Sequence, residues 1–309
     1  MESLSDDILF YNILYSSYDV AIVLSLTSKR VNRLSKGYGK ELRTPKSYFL
    51  EYVERQDKYL CEKYWINRFT KKKEGKYKSW YKDGNKFIEC YYKSGELYGK
   101  YEEWHEDGNK FIECYYKSGK LYGKYERWYK NGKKYIECNY KNNYMEDKYE
   151  EWYEDGNKWI ECHYKGDKLE DRYEHWWKNG NKMRECHYKD DKLDDRYEEW
   201  YEDGNKQIKC YYKNDYKEGK YEEWYDNGNK YIECNYKKDK LEDIYELWHK
   251  SGNKKIKCYY KNNYKEGKYE EWYDNGNKYI ECNYKKGRLE DIYEKWNKNG
   301  TKWINDFIS

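Results

Sequence analysis

The 309-residue chain has one proline, three methionines and four valines, and Leu, Ile, Val and Phe together supply only 42 residues. A single proline excludes a proline-rich linker. An aliphatic share below roughly 20% ordinarily points to disorder, but disorder also needs high net charge and few aromatics. Neither condition holds, since 63 basic and 59 acidic residues leave a net charge of +4, and there are 45 tyrosines and 14 tryptophans. Each such ring buries on the order of 150–250 Å², so the chain is expected to fold through rings and not through aliphatics. The balanced charge argues against nucleic-acid binding driven by bulk electrostatics. No run approaches the roughly 18 apolar residues of a membrane helix, and the acidic opening, residues 1–7, lacks the basic leader of a secretory signal.

Internal repetition dominates what is present. Trp recurs at 80, 104, 128, 152, 176, 200, 224, 248, 272 and 296, always 24 residues apart. A glycine follows each by four residues and a lysine by six, a tyrosine precedes each by three, and in nine units Cys and Tyr follow by ten and twelve. Residues 216–238 and 264–286 are identical, the mark of a duplicated two-unit block. Positions below are counted from the Trp of each unit.

Each unit reads as a β-hairpin. Residues 219–236 place two Tyr/Trp/Ile-rich runs around Asp-Asn-Gly-Asn, and Asn-Gly or Asp-Gly supplies the positive φ that hairpin turns need. Polar segments of about six residues, such as 189–195 and 237–243, are expected to connect the hairpins. A helix fits poorly, because no 3.6-residue stripe survives the central glycine. Ile, Cys and Tyr at plus eight, ten and twelve share one face by the two-residue period. Whether Trp joins them depends on a two- or three-residue turn. Glu at minus two and Lys at plus thirteen read as solvated ladders. The expected fold is mainly β, an open antiparallel β-hairpin repeat solenoid of ten 24-residue units over residues 73–309.

The pattern Tyr77-x-x-x-Tyr81-x-x-Gly84, repeated as Tyr221-x-x-x-Tyr225-x-x-Gly228, resembles the core of MORN-type repeats. It is most similar to the variant whose unit reads Gly-x-Tyr-x-x-Trp-Tyr-x-x-Gly. His105, His249 and Asn297 depart from it at the second aromatic position, and Arg184 at the Ile position. The resemblance implies a scaffolding or membrane-proximal repeat protein.

Residues 1–44 differ, with aliphatics at helical spacing. Ser5 is placed to cap a first helix, Asp6 and Asp7 suit its positive end, and two further short helices follow. Leu4–Leu9, Ile13-Leu14, Leu24-Ser25-Leu26 and Ser28-Lys29-Arg30-Val31 resemble an F-box. Ser5 stands where that family has proline, and Val31 where it has an aromatic residue. The resemblance implies that Leu4, Ile8, Leu9, Ile13, Leu14, Leu24, Leu26 and Val31 contact a Skp-type adaptor and, through it, a cullin. The alternative is a helical cap for the first strand of the array. Residues 45–70 are expected to form one more helix from Pro45, with Tyr48, Tyr52 and Cys61 or Trp65 on its buried face, and 45–72 to serve as connector.

Ten cysteines invite a disulfide or metal reading. Equivalent cysteines in successive units stand about 9.6 Å apart in a continuous sheet, beyond the roughly 7 Å that a disulfide spans. No Cys-x-x-Cys occurs, so the usual zinc spacing is missing, and a ladder of small buried thiols in a reducing compartment is expected. The pairs Cys162-His163 and Cys186-His187 point to opposite faces of a strand, with the histidines at a variable surface position. No catalytic residue, cofactor or metal ligand is expected.

These readings converge on a non-catalytic adaptor: the F-box-like segment holds a ubiquitin ligase core, and the array presents an unidentified protein target. The plus-one residues, Tyr81, His105, Tyr129, Tyr153, Trp177, Tyr201, Tyr225, His249 and Tyr273, are the target-binding candidates, because aromatics dominate binding hot spots. The alternative is a structural or membrane-apposed scaffold; the balanced charge disfavours electrostatic lipid binding. Nucleic acid is not an expected partner. An F-box with such repeats in an AT-rich composition also resembles proteins of giant DNA viruses, implying a host-cytoplasmic location.

Overall fold

A computed structural model describes residues 4–40, 44–290 and 293–303. The chain divides into two compact units, one of residues 1–133 with 140–143 and one of residues 134–139 with 144–309. Both are built mainly of antiparallel strands.

The first unit opens with α1 (Asp6–Ile8), which runs on as a π-helical stretch Leu9–Leu14, then α2 (Tyr18–Ser25) and α3 (Lys29–Leu34). Ser17 and Ser28 accept hydrogen bonds from the amides of Val20 and Val31 and so start α2 and α3. Ser5 holds the equivalent position of α1 but its hydroxyl makes no cap; Arg30 instead ties that end down by donating to Asp6 at 2.7 Å and to the Leu4 carbonyl at 2.5 Å. Leu9, Leu14, Val31 and Leu34 form the core of this module, with Leu4, Ile13 and Leu24 packed against it.

The helix expected over 45–70 stops after one turn. Pro45 does occupy the first turn of α4 (Pro45–Phe49), behind a Thr44–Ser47 capping box, but β1 (Leu50–Gln56) and β2 (Leu60–Asn67) follow as an antiparallel hairpin. Asp57 Oδ1 accepts the amides of Tyr59 and Leu60 at 2.7 and 2.8 Å and turns the chain between them. β2 then pairs with β3 (Lys73–Tyr81), so the sheet begins at Leu50 and these residues are its first hairpin, not a connector. Of the expected buried face, Tyr52 is exposed and its ring lies tilted against that of Trp65 at 4.9 Å, while the buried residue is Tyr64, in one core with Tyr77 and Cys90. β-Branched and aromatic neighbours favour extended chain here over helix.

Within a repeat the register is regular. β3 pairs with β4 (Lys86–Lys93) so that Tyr77 lies opposite Cys90 and Ser79 opposite Ile88. The turn is longer than two or three residues: Tyr81 N–H donates to Asn85 O and Gly84 N–H to Tyr81 O, with Gly84 at φ +92°. A bulge between Ser79 and Trp80 absorbs the extra residue. Trp therefore falls on the face opposite Ile, Cys and Tyr.

The expected six-residue connecting segments are mostly strand. Lys182–Lys189 and Lys192–Trp200 are joined by Asp190-Asp191 alone, at φ +50° and +66°, the two positive angles of a type I′ turn. Asp195, at φ +83°, is where the incoming strand kinks. Asn and Asp tolerate this region through local side-chain hydrogen bonds, so the polar stretch encodes a tight turn and a kink. Among the described residues no helix is long and apolar enough to cross a membrane.

All ten cysteines are free thiols, and those at plus ten are buried. Burial pushes the Cys90 and Cys162 thiols up to about 12, which removes the reactive thiolate. Thiol titration of the native protein should therefore count Cys61 promptly and the other nine more than about 100-fold more slowly. In denaturant all ten should react; prompt native reaction at several sites would contradict the buried ladder.

Candidate functional site

Each repeat presents two chemically different faces. On the cysteine face, tyrosines at minus three and plus twelve close over the thiol: Tyr149 and Tyr164 meet edge to face at 5.8 Å, and Tyr221 and Tyr236 at 5.7 Å. The minus-three phenol donates to a glutamate two residues on, as from Tyr149 to Glu151 at 3.0 Å and Tyr221 to Glu223 at 2.9 Å. Burial and then the adjacent carboxylate raise the Tyr221 phenol far above its ordinary range. Arg184, the departure at the Ile position, donates to Glu199 at 2.8 and 3.0 Å, so its charge is paired on this face.

The opposite face carries Trp and a row of acids. Glu150 lies directly across from Glu161, and Glu161 from Glu174. Like charges in that position repel, and shared lysines neutralise them. Lys158 Nζ is 2.7 Å from Glu150 and also bonds Glu161; Lys148 reaches the same two at 2.9 and 3.2 Å. The arrangement recurs with Lys220 and Lys230 on Glu222 and Glu233, and with Lys268 and Lys278 on Glu270 and Glu281. The plus-six lysine also sits between successive indoles, Lys158 Nζ at 5.9 Å from the Trp152 ring and 5.8 Å from Trp176. The minus-two glutamates are thus part-buried and ion-paired and not a solvated ladder, while the plus-thirteen lysines, such as Lys93 and Lys165, are exposed.

The plus-one aromatics join units to each other. Tyr81 Oη donates to the Trp104 carbonyl at 2.9 Å, Tyr153 to Trp176 at 2.9 Å, Tyr201 to Trp224 at 2.9 Å, Tyr225 to Trp248 at 3.0 Å and Tyr273 to Trp296 at 3.0 Å. Trp177 Nε1 donates to the Trp200 carbonyl at 3.2 Å, and His249 Nε2 and His105 Nε2 lie 3.0 and 3.4 Å from the matching carbonyls of Trp272 and Trp128. All nine candidates, Tyr129 included, are half-buried, and the polar ends of the eight just described face the sheet's own backbone. The plus-five asparagines, which the sequence reading passed over, do the same at the turns: Asn157 Nδ2 donates to Lys178 O at 2.9 Å and Asn253 Nδ2 to Asp274 O at 2.8 Å. Their signal was recurrence at a fixed place after the turn glycine.

In the helical module the eight expected partner contacts divide. Leu9 and Leu14 are fully buried and Val31 nearly so, so all three serve the module's own core and not a partner surface. Leu4, Ile13 and Leu24 support that core. Ile8 and Leu26 are exposed, Leu26 to 80%, as are Ile22 and Val23, which the F-box resemblance had not singled out. His163 and His187 are half-buried, each with an Nδ1 that lacks a partner, and not at an open surface. Among the described residues no three His, Cys, Asp or Glu side chains gather where a metal could be held.

The shared lysines make stability pH-dependent. Burial pulls the Glu150 and Glu222 carboxyls upward, but hydrogen bonds from Lys158 and Lys148, and from Lys230 and Lys220, outweigh it and leave both below the ordinary range. A depressed carboxyl adds stability above its unfolded pKa of about 4.3, lost as pH falls through the folded value. Lys158→Met should cost about 1.5–3 kcal/mol at pH 7 and much less at pH 3, read from urea midpoints; an equal loss at both would exclude the shared-cation account.

A family model described as a MORN repeat variant matches residues 73–94, 97–118, 121–142, 148–165, 172–190, 196–214, 217–238 and 265–286, together more than half of the chain. A search of curated proteins finds no match. Tandem repeats of this kind mark a protein-interaction repeat protein, and the chain belongs to the MORN repeat variant family.

Proposed function

We propose that the protein is a non-catalytic adaptor, in which the helical module docks a Skp-type subunit of a cullin-based ubiquitin ligase and the repeat array presents a protein target. The carrying observation is the apolar surface that the module leaves open. Ile8 is 39% and Leu26 80% exposed on helices whose own core is already filled by Leu9, Leu14, Val31 and Leu34. Exposed aliphatics of this kind mark an interaction surface. The array supports the reading by its uniformity, since ion pairs and aromatic ladders repeated in each unit build a surface and no single reaction centre. Catalysis then belongs to partner subunits, and the place of action is the cytoplasm, which the resemblance to giant-virus proteins makes that of an infected host.

A second reading has its own observation. Asp19 of α2 accepts a hydrogen bond from Ser94 of the array at 3.3 Å, as a module serving as end cap of a scaffold would.

Capture from eukaryotic lysate separates the two. The full chain should retain a Skp-type adaptor and cullin, and Ile8→Asp/Leu26→Asp should lose both by at least tenfold with its circular dichroism unchanged. These positions are chosen because they lie outside the core, whereas Leu24 supports it. Folded wild-type protein that retains neither subunit would make the helices a cap.

A further inference from the structure

In the first unit, α2 and the opening repeats enclose an open cleft of about 550 Å³. Ile22 and Val23 line it from α2, and Tyr91 and Tyr98 from the array. Both tyrosines are nearly half exposed. Tyr91 stands at plus eleven, where Tyr115, Tyr211 and Tyr259 recur, whereas Tyr98 departs from most units. At minus six, the units from Trp152 onward carry Glu146, Glu170, Asp194, Glu218, Glu242, Glu266 and Glu290, where the units of Trp104 and Trp128 have Tyr98 and Tyr122.

Two carboxylates complete the lining, Asp19 and Glu74. Glu74 accepts the Ser94 amide at 2.8 Å, as its equivalent Glu218 accepts that of Lys238 at 2.9 Å. That bond is the ordinary role of the position. What differs is burial: Glu218 is half-buried, whereas Glu74 is 6% exposed. Neither Glu74 nor Asp19 has a cation within ion-pair distance among the described residues. Burial, and then the charge of Asp19, raise the Glu74 carboxyl above its usual range. The charges of Lys93 and Lys72 offset this rise only in part, and neither lysine of the lining forms an ion pair with Glu74. Lys100 is held by Glu102 and Glu113 at 2.9 and 3.0 Å, and Lys93 lies over the Tyr98 ring at 5.9 Å.

A buried carboxylate without a counter-ion is costly, and aromatic rings beside it stabilise a cation further. We propose that this cleft receives the side chain of a lysine presented by a protein partner. The stem lies along Ile22 and Val23, and the ammonium sits among Tyr91, Tyr98, Asp19 and Glu74. The inference takes from the interaction reading only the source of the lysine and is independent of the ligase assignment.

The test titrates the full-length protein with the peptide acetyl-Gly-Lys-Gly-amide and with its Nε-acetyl-lysine counterpart, followed by NMR. The lysine peptide should give saturable shifts confined to residues 18–23, 74–75 and 91–100. Acetylation, Glu74→Gln and Tyr98→Ser should each weaken binding at least tenfold while the melting temperature stays near that of the wild type. If Glu74→Gln does not fold, Asp19→Asn, at an exposed position, takes its place. Equal binding of the acetylated peptide, or no shift in those residues of folded wild-type protein, would overturn the proposal. Glu74→Gln should still capture the Skp-type subunit, so failure here and failure of the adaptor reading remain distinguishable.

Discussion

Exact repetition in an antiparallel meander sets acids opposite acids, and the rest of the repeat is arranged around that conflict. With strands about 4.8 Å apart, two carboxylates face to face repel by roughly 3 kcal/mol at an effective dielectric near 20. Lysine at plus six, present in all ten units, is the residue that can touch both acids and lie between two indoles. One exception follows the same electrostatics. In the unit where Lys257 replaces the plus-nine acid, the minus-four cation is also absent, replaced by Ile244, and Lys254 and Lys257 both serve Glu246 at 2.6 and 3.7 Å.

The other face meets a different constraint. In the second unit the described elements are all strands, each packed on its neighbours along the chain, so no helix or second sheet covers the cysteines. Tyrosine solves this from within the sheet, because its ring is large enough to lie over a thiol, while its hydroxyl finds an acceptor at the edge of the buried patch. In the units that carry one, a glutamate at minus one supplies that acceptor, as Glu271 does for Tyr269 at 2.9 Å. The scarcity of aliphatics and the abundance of tyrosine are therefore one fact. A sheet without a second layer needs side chains that are apolar along their length and polar at the tip.

Repeat length, the hairpin, the turn glycine and the buried cysteine position were legible in the sequence, because each rests on a local rule of period or backbone conformation. What was not legible depends on neighbours. The sequence around Tyr52 and Trp65 reads as an amphipathic helix in isolation, but β3 offers an unpaired edge that β2 completes. Trp could not be assigned a face until the loop after it had a length, since one residue more or less inverts the alternation. The two-residue turns hid in segments such as Lys-Asp-Asp-Lys, where aspartate at positive φ looks like a charged linker. In the helical module the pattern located the helices but not which of their aliphatics remain outside; Leu9 and Leu26 are indistinguishable by type and opposite in exposure.

The plus-one aromatics show how a recognition argument can invert. Their chemistry suits a binding hot spot, yet a ring repeated through eight units with its polar tip on the next unit's carbonyl is serving the repeat. A residue that must hold the neighbouring unit is not free to vary with a target. Discrimination in such an array has to come from positions that are both exposed and allowed to differ. Plus eleven meets that condition where Tyr115, Tyr211 and Asn283 stand exposed at equivalent places, and it lies directly opposite the minus-four cation, as Tyr115 lies opposite Lys100. The scaffold is thus kept constant by rings that point inward along the sheet, and the readable surface is the row beside the lysines.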